Sequence, residues 1–254
     1  MPSNCIFFYK GLCMIYQIVK DYQLVDDIAP NDYQFYGSSC ALKSIVFHLF
    51  VDHSIKRSIL DIGFGRGELG RLIKTNSSTV HWEVDGIDGF EITCCNKSLF
   101  EKGYYRNIWR GYAQELQLEH MQSYDVVCLL DVIEHLDAAM AKQLLRKILE
   151  SLGEKSLLFI STPLWFMPQE KQQSGDLEAH LIGIPASSML ALKPLMYAVG
   201  VSLVGNFVFD RRSLAYIDAF IPTSDRLFDL DQGTKVAFDA GMKLEQGVLY
   251  LVNY

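Results

Sequence analysis

From Ser58 onward the chain alternates short apolar runs with amphipathic stretches. Residues 58–62, 80–88, 124–130 and 156–162 carry apolar side chains with little alternation, as strands buried on both faces do, and 107–109 is a weaker run of the same kind. Between the last two long runs, Met140, Leu144, Leu145, Ile148, Leu149 and Leu152 recur at helical spacing. Asp137 stands before them as an N-cap, and Gly153 marks the C-terminal stop. This alternation predicts an α/β fold: a doubly wound, mostly parallel sheet with helices on both faces.

The two ends of the chain read differently. Residues 14–53 are predicted helical, with one stripe at Ile15, Ile18 and Val19 and another at Leu42, Ile45, Val46, Leu49 and Phe50. After Pro163 an irregular stretch runs to His180, and a helix is expected over 186–199. Two strand-like runs follow, 201–209 and 214–221, joined by only four residues. A connection that short makes them antiparallel, so the sheet is expected to end in a hairpin. Residues 247–252 suit one further strand. The expected division is an N-terminal helical segment or lid over 1–54, with Tyr33 and Tyr36 as lid candidates, a core over 55–222, and an appendage over 223–254.

Composition narrows the function. Of 254 residues half are apolar, enough for a sizeable core, while 23 basic and 30 acidic side chains leave a net charge of −7. A net acidic chain with no long basic block argues against a nucleic-acid partner. The apolar stretches are interrupted well short of the ~18 residues a membrane span needs. Residues 5–19 are largely apolar, but Lys10, Gly11 and Gln17 break them and no small-residue cleavage site follows, so they are not read as a signal peptide. The six cysteines form no CxxC pair, which fits reduced thiols in a cytoplasmic protein and gives no zinc site. No metal is assigned.

The richest segment is the glycine loop from Asp61 to Gly70, which follows a strand and opens a helix. Gly63, Gly65 and Gly67 allow a sharp turn and a close ligand approach. Asp88 closes the next strand, where a carboxylate can take both hydroxyls of a ribose. Gly65, Gly67 and Gly70 also satisfy G-x-G-x-x-G, so a nicotinamide dinucleotide competes. Asp61 argues against it, because its carboxylate would repel a pyrophosphate at the strand end. S-adenosylmethionine has no phosphate, and its ammonium and sulfonium would be attracted.

With these motifs, residues 55–220 resemble the class I S-adenosylmethionine-dependent methyltransferases, a Rossmann-like fold with a seven-stranded sheet. Residues 59–67 look like the family's first motif and 86–88 like its second. Residues 124–136, through Asp131, Glu134 and His135, are similar to a segment of the ubiquinone-type and sugar O-methyltransferase branch, and 158–163 match that branch's fifth strand. The resemblance implies that Asp61 and the Gly63 backbone hold the methionine ammonium, that Gly65 and Gly67 line the loop, and that Asp88 binds the ribose. Gly89, Phe90 and Ala113 would border the adenine, and Leu130 and Asp131 the methionine and reactive methyl. Two departures stand out: Phe64 replaces a small residue and would narrow the pocket, and Tyr112 stands where an acid often accepts the adenine amino group, a role that Gln114 or Glu115 could take.

The expected reaction is methyl transfer to a small-molecule acceptor, a hydroxyl of a sugar or quinone-like compound. N- or C-methylation and a catalytically silent cofactor-binding scaffold are the alternatives. For a hydroxyl acceptor the candidate catalytic groups are His180, His135 and Glu178, with His180 favoured as base because 163–180 combines aromatic, carboxylate and imidazole groups. Trp165, Phe166 and Met167 could wall the acceptor or pack the loop down, and Arg211 with Arg212 is a solvated pair or an anion site.

Overall fold

The computed structural model describes residues 17–18, 55–94, 98–115, 121–171, 177–246 and 248–254. Among them, nine strands form one sheet: β1 (Gln17–Ile18), β2 (Ser58–Ile62), β3 (Glu83–Asp88), β4 (Asn107–Arg110), β5 (Val126–Leu130), β6 (Leu157–Pro163), β7 (Met196–Val199), β8 (Val204–Phe209) and β9 (Leu249–Leu251). Their order is β1-β4-β3-β2-β5-β6-β8-β7-β9. The five central strands, β4 to β6, run parallel, and β1, β8 and β9 are antiparallel to their neighbours. The seven-stranded core expected from the sequence is therefore present, with β1 and β9 added at its edges. The helices are α1 (Glu68–Thr75), α2 (Glu91–Cys94), α3 (Ser98–Glu101), α4 (Ala138–Ser151), α5 (Ala186–Ala191) and α6 (Leu230–Asp239).

Successive residues of the central strands feed opposite cores, which is why the runs look uniformly apolar. Ile59, Val126, Cys128 and Phe159 join one cluster with Phe64, Trp82 and Tyr105. Leu60, Ile62, Val127, Leu129, Leu158 and Ile160 join the other, against Leu144, Leu145, Ile148 and Leu149 of α4. Asp137 caps α4 as expected, accepting a 2.9 Å bond from the Met140 backbone N–H. Each fully buried leucine or isoleucine on that helix contributes roughly 1.5–3 kcal/mol. Chain order reverses between β2 and β5, so their carboxyl ends diverge and leave a crevice there.

Toward the opposite, amino end of the sheet, Asp85 of β3 is a buried carboxylate that sequence reading passed over. It accepts from Tyr124 Oη (2.8 Å) and from the backbone (3.1 Å) and side-chain (3.0 Å) nitrogens of Asn107, and it pairs with Arg106. Three residues from two segments thus lock β3 to β4 and to the start of β5.

The C-terminal third corrects the sequence reading. The helix expected over 186–199 stops at Ala191; Lys193 takes φ 58, Pro194 follows, and the chain leaves as β7. The terminal hairpin is β7 with β8, not 201–209 with 214–221. The latter run lies in a 3₁₀ helix, Arg211–Ala219, begun by the Asp210 carboxylate accepting from Arg212 N (2.9 Å), with Ile217 and Phe220 buried three residues apart. The strand expected at 247–252 is β9, paired with β7. At the other end, Gln17 and Ile18 are extended against Arg110 and Trp109, not helical. The other stripe residues of 14–53, with Tyr33 and Tyr36, lie outside the described residues. Cys94 and Cys128 are buried free thiols. No described helix is long and apolar enough to cross a membrane.

Candidate active site

A cavity of about 690 Å³ occupies the crevice at the carboxyl ends of β2, β3 and β5, a size typical of small-molecule sites. Asp61, Gly63, Gly65, Asp88, Gly89, Phe90, Ala113, Leu130 and Asp131 all line it, as the resemblance implies. Gly67 does not. It turns the chain into α1 at φ 80, and a Cβ there would lie 2.5 Å from Leu99 Cδ2. Gly63 serves the cavity wall: at φ 71, any Cβ would lie 2.6 Å from Val132 Cγ2, and only glycine tolerates both the left-handed backbone and that approach.

Two carboxylates define the cavity's polarity. Asp61 is 2% exposed, and its Oδ2 accepts from Tyr105 Oη at 2.6 Å. Burial pushes its carboxyl up from 3.8 to about 7; the Tyr105 bond opposes this and the charge of Asp88 adds to it. A cation beside Asp61 would relieve this penalty, whereas an anion would increase it. Asp88 is also raised by burial and held down by its backbone bonds. Its Oδ2 accepts from Gly65 N (3.0 Å) and its Oδ1 from Phe90 N (2.8 Å), so it fixes the glycine loop while each oxygen keeps a lone pair for a ligand. Tyr105 had no signal in the sequence beyond its place before β4.

Phe64, expected to narrow the pocket, does line the cavity, but most of its ring is turned into the core. Its ring is 5% exposed and packs 5.3 Å from the Tyr105 ring, over the space that glycine leaves at Gly86. Tyr112 does line the cavity and, with Leu177, lies against Gly89; Gln114 lines it too, and Glu115 does not. Leu177 was not anticipated.

The part of the cavity wall around His135 is built from two loops. His135 follows β5 and lines the cavity; His180, expected as the likelier base, is 5% exposed and not among the lining residues, because 163–180 folds back against the loop after β5 and sets its ring beside His135, centroids 4.6 Å apart, edge to face. His135 Nδ1 lies 3.2 Å from the Ala179 carbonyl and His180 Nδ1 2.7 Å from the Met167 carbonyl. A carbonyl can only accept, so both rings carry their proton on Nδ1 and present a lone pair on Nε2. Burial lowers the pKa of both, which keeps the rings neutral. Glu178 lines the cavity, and its charge reaches Asp88, Glu134 and His180. Trp165, Phe166 and Met167 do not line it: Trp165 Nε1 donates to the Ser202 carbonyl, and the Phe166 N–H to that of Phe228, so they pack the loop down. Arg212 pairs with Asp210 at the surface.

The sequence model described as methyltransferase domain matches residues 39–201. The chain belongs to this family. It carries a methyltransferase domain, and the cavity suits S-adenosylmethionine as cofactor: a buried acid, raised by burial, for a cationic end and a second carboxylate on the neighbouring strand. Among solved structures, the methyltransferase resembles the plantazolicin methyltransferase BpumL in complex with SAH (23% identity, 50% of this chain and 46% of that one, TM-score 0.40). It also resembles an O-methyltransferase family protein from Burkholderia thailandensis (12%, 67% and 56%, 0.44). A third is the N-terminal domain of EvdMO1 in the presence of SAH and D-fucose (12%, 67% and 81%, 0.47). The match spans about half the length of the first two. No curated protein matches the methyltransferase in sequence.

Proposed function

We propose that the methyltransferase transfers a methyl group to a hydroxyl oxygen of a small molecule, of the sugar or quinone-like class. The observation that carries this reading is the pair of neutral imidazoles beside the cavity, with lone pairs on Nε2 and His135 on the cavity wall. A nitrogen or carbanion acceptor has less need of such groups, whereas a hydroxyl must lose a proton as it reacts.

S-adenosylmethionine, when bound, supplies an electrophilic methyl on a cationic sulfur. Asp61 would take its ammonium and Asp88 its ribose hydroxyls, with Gly89, Phe90, Ala113 and Tyr112 around the adenine. Asp131 would border the methionine: it takes φ 55, which an aspartate tolerates, and Ser161 Oγ donates to its Oδ1 at 2.9 Å. A hydroxyl held against His135 would give up its proton toward the Nε2 of that ring. Such assistance is worth roughly 10²–10⁴-fold, added to the larger contribution of alignment.

The test incubates the protein with methyl-labelled S-adenosylmethionine and a panel of hydroxylated small molecules, read by mass spectrometry. An O-methylated product is expected. A product methylated on nitrogen or carbon overturns the acceptor assignment, and absence of S-adenosylmethionine binding by calorimetry overturns the cofactor placement.

A further inference from the structure

Glu134 is a buried side chain next to His135 that the reading above leaves without a task. It is 2% exposed, Thr162 Oγ1 donates to its Oε2 at 3.1 Å, and its Oε1 is buried with no hydrogen-bond partner. An orphaned carboxylate oxygen in the interior is costly and calls for an explanation. Its surroundings offer one. A carboxylate oxygen of Glu134 and one ring nitrogen each of His135 and His180 lie within 4.8 Å of one another. They come from two loops, after β5 and after β6, which the Leu181 N–H to Glu134 carbonyl bond (2.8 Å) joins.

We propose that Glu134, His135 and His180 form a binding site for one divalent transition-metal ion of the zinc type, where His135 meets the cavity wall. Three features of the cluster support this. Two imidazoles with one carboxylate are the donor set of three-ligand zinc sites that keep a position open. Both imidazoles have Nδ1 held by a backbone carbonyl, the outer support that fixes a ring with Nε2 toward a metal. Glu134 is likewise supported by Thr162, leaving Oε1 as the donor. The charge of Asp131 reaches all three side chains, adding negative potential for a cation.

The site's consequence for catalysis rests on the hydroxyl reading above; its existence does not. With the ion held, the Nε2 lone pairs are its ligands and no longer serve as base, so a hydroxyl oxygen at the open position would lose its proton to water under the ion's charge. The oxygen's electron pair forms the bond to the methyl carbon, the carbon–sulfur bond breaks with its pair going to sulfur, and S-adenosylhomocysteine leaves.

The experiment uses the full chain after dialysis against a chelator, titrated with zinc chloride by calorimetry. One ion per chain is expected. Glu134→Gln, His135→Ala and His180→Ala should each weaken binding by at least about tenfold, since supporting residues alone are worth 10–100-fold. His81→Ala, at a histidine outside the cavity, should leave it unchanged. Glu134→Gln keeps the side chain's shape, and S-adenosylhomocysteine binding by each variant reports an intact fold; a variant that fails this check is set aside and the others decide. No zinc binding by the wild type, equal binding by the folded variants, or loss on His81→Ala overturns the site. A product methylated on nitrogen would overturn the acceptor reading and leave this titration as it stands.

Discussion

Replacing Asp61 by asparagine removes one charge and almost no volume, so it isolates what that charge does. In the ligand-free protein, burial raises the Asp61 carboxyl from 3.8 to about 7. At ~1.36 kcal/mol per pH unit, the ionised acid costs the empty fold on the order of 4 kcal/mol. The sign follows from proton binding. Between 3.8 and about 7 the folded state holds the proton and the unfolded state has lost it, so stability falls as pH rises through that window. Below it the cost is absent, and above it the cost is complete. Asparagine carries no such cost, but it exchanges a charge-assisted bond from Tyr105 for a neutral one, a loss of about 1 kcal/mol. The net expectation is a ligand-free variant more stable than wild type by roughly 1–3 kcal/mol at mildly alkaline pH, about 2–10 °C in melting temperature. The gain should vanish near pH 4. Cofactor binding should move the opposite way: losing a charge-assisted contact to an ammonium costs about 1.5–3 kcal/mol, or roughly 10–150-fold in affinity. Thermal melts across pH and calorimetry with S-adenosylmethionine measure both. A variant that melts lower than wild type at alkaline pH, or binds the cofactor equally well, refutes the assignment of Asp61 as a strained acid awaiting a cation.

Asp88→Ala should weaken cofactor binding by a similar factor but also lower the ligand-free melting temperature, because the N–H groups of Gly65 and Phe90 lose their acceptor; parallel melts of the two variants distinguish the carboxylates. Gly63→Ala should cost about 1–3 kcal/mol from its left-handed backbone alone, plus the clash with Val132, and adding Val132→Ala should recover only the clash, as denaturant titrations of the double-mutant set would show. His135→Ala should reduce turnover by roughly 10²–10⁴-fold with cofactor affinity intact once an acceptor is in hand, and single-turnover kinetics with separate binding measurements would show whether the loss lies there.

Where local rules decide the structure, the sequence was readable. The runs of β2, β3, β5 and β6, the Asp137 cap of α4 and the glycine loop each follow from residues close together in the chain. The region after Pro163 was not so readable. Met196–Val199 is a four-residue apolar run, which periodicity cannot separate from the end of a helix, although Pro194 was a stop signal there. Residues 214–221 look strand-like in composition, yet the Asp210 cap and the three-residue spacing of Ile217 and Phe220 favour the 3₁₀ helix. In the site, the cofactor side was legible because its residues follow strand ends in order. The nearness of His180 to Glu134 and His135 was not, because it depends on how 163–180 folds back. Nor could the packing of the Phe64 ring on Tyr105 be read, since its direction depends on the space left by Gly86.

The stretch from Leu177 to Leu181 touches both ends of the cavity within five residues. Leu177 lies against Gly89, the Ala179 carbonyl orients His135, His180 completes the imidazole pair, and the Leu181 N–H is tied to Glu134. A ligand that settles Leu177 over the adenine end therefore also settles the groups that meet the acceptor. In steady-state terms the expected outcome is a compulsory order, cofactor first, acceptor second and the demethylated cofactor leaving last, which product-inhibition kinetics would check. S-adenosylhomocysteine would then compete with S-adenosylmethionine but not with the acceptor, and the acceptor alone would gain little purchase on the empty protein.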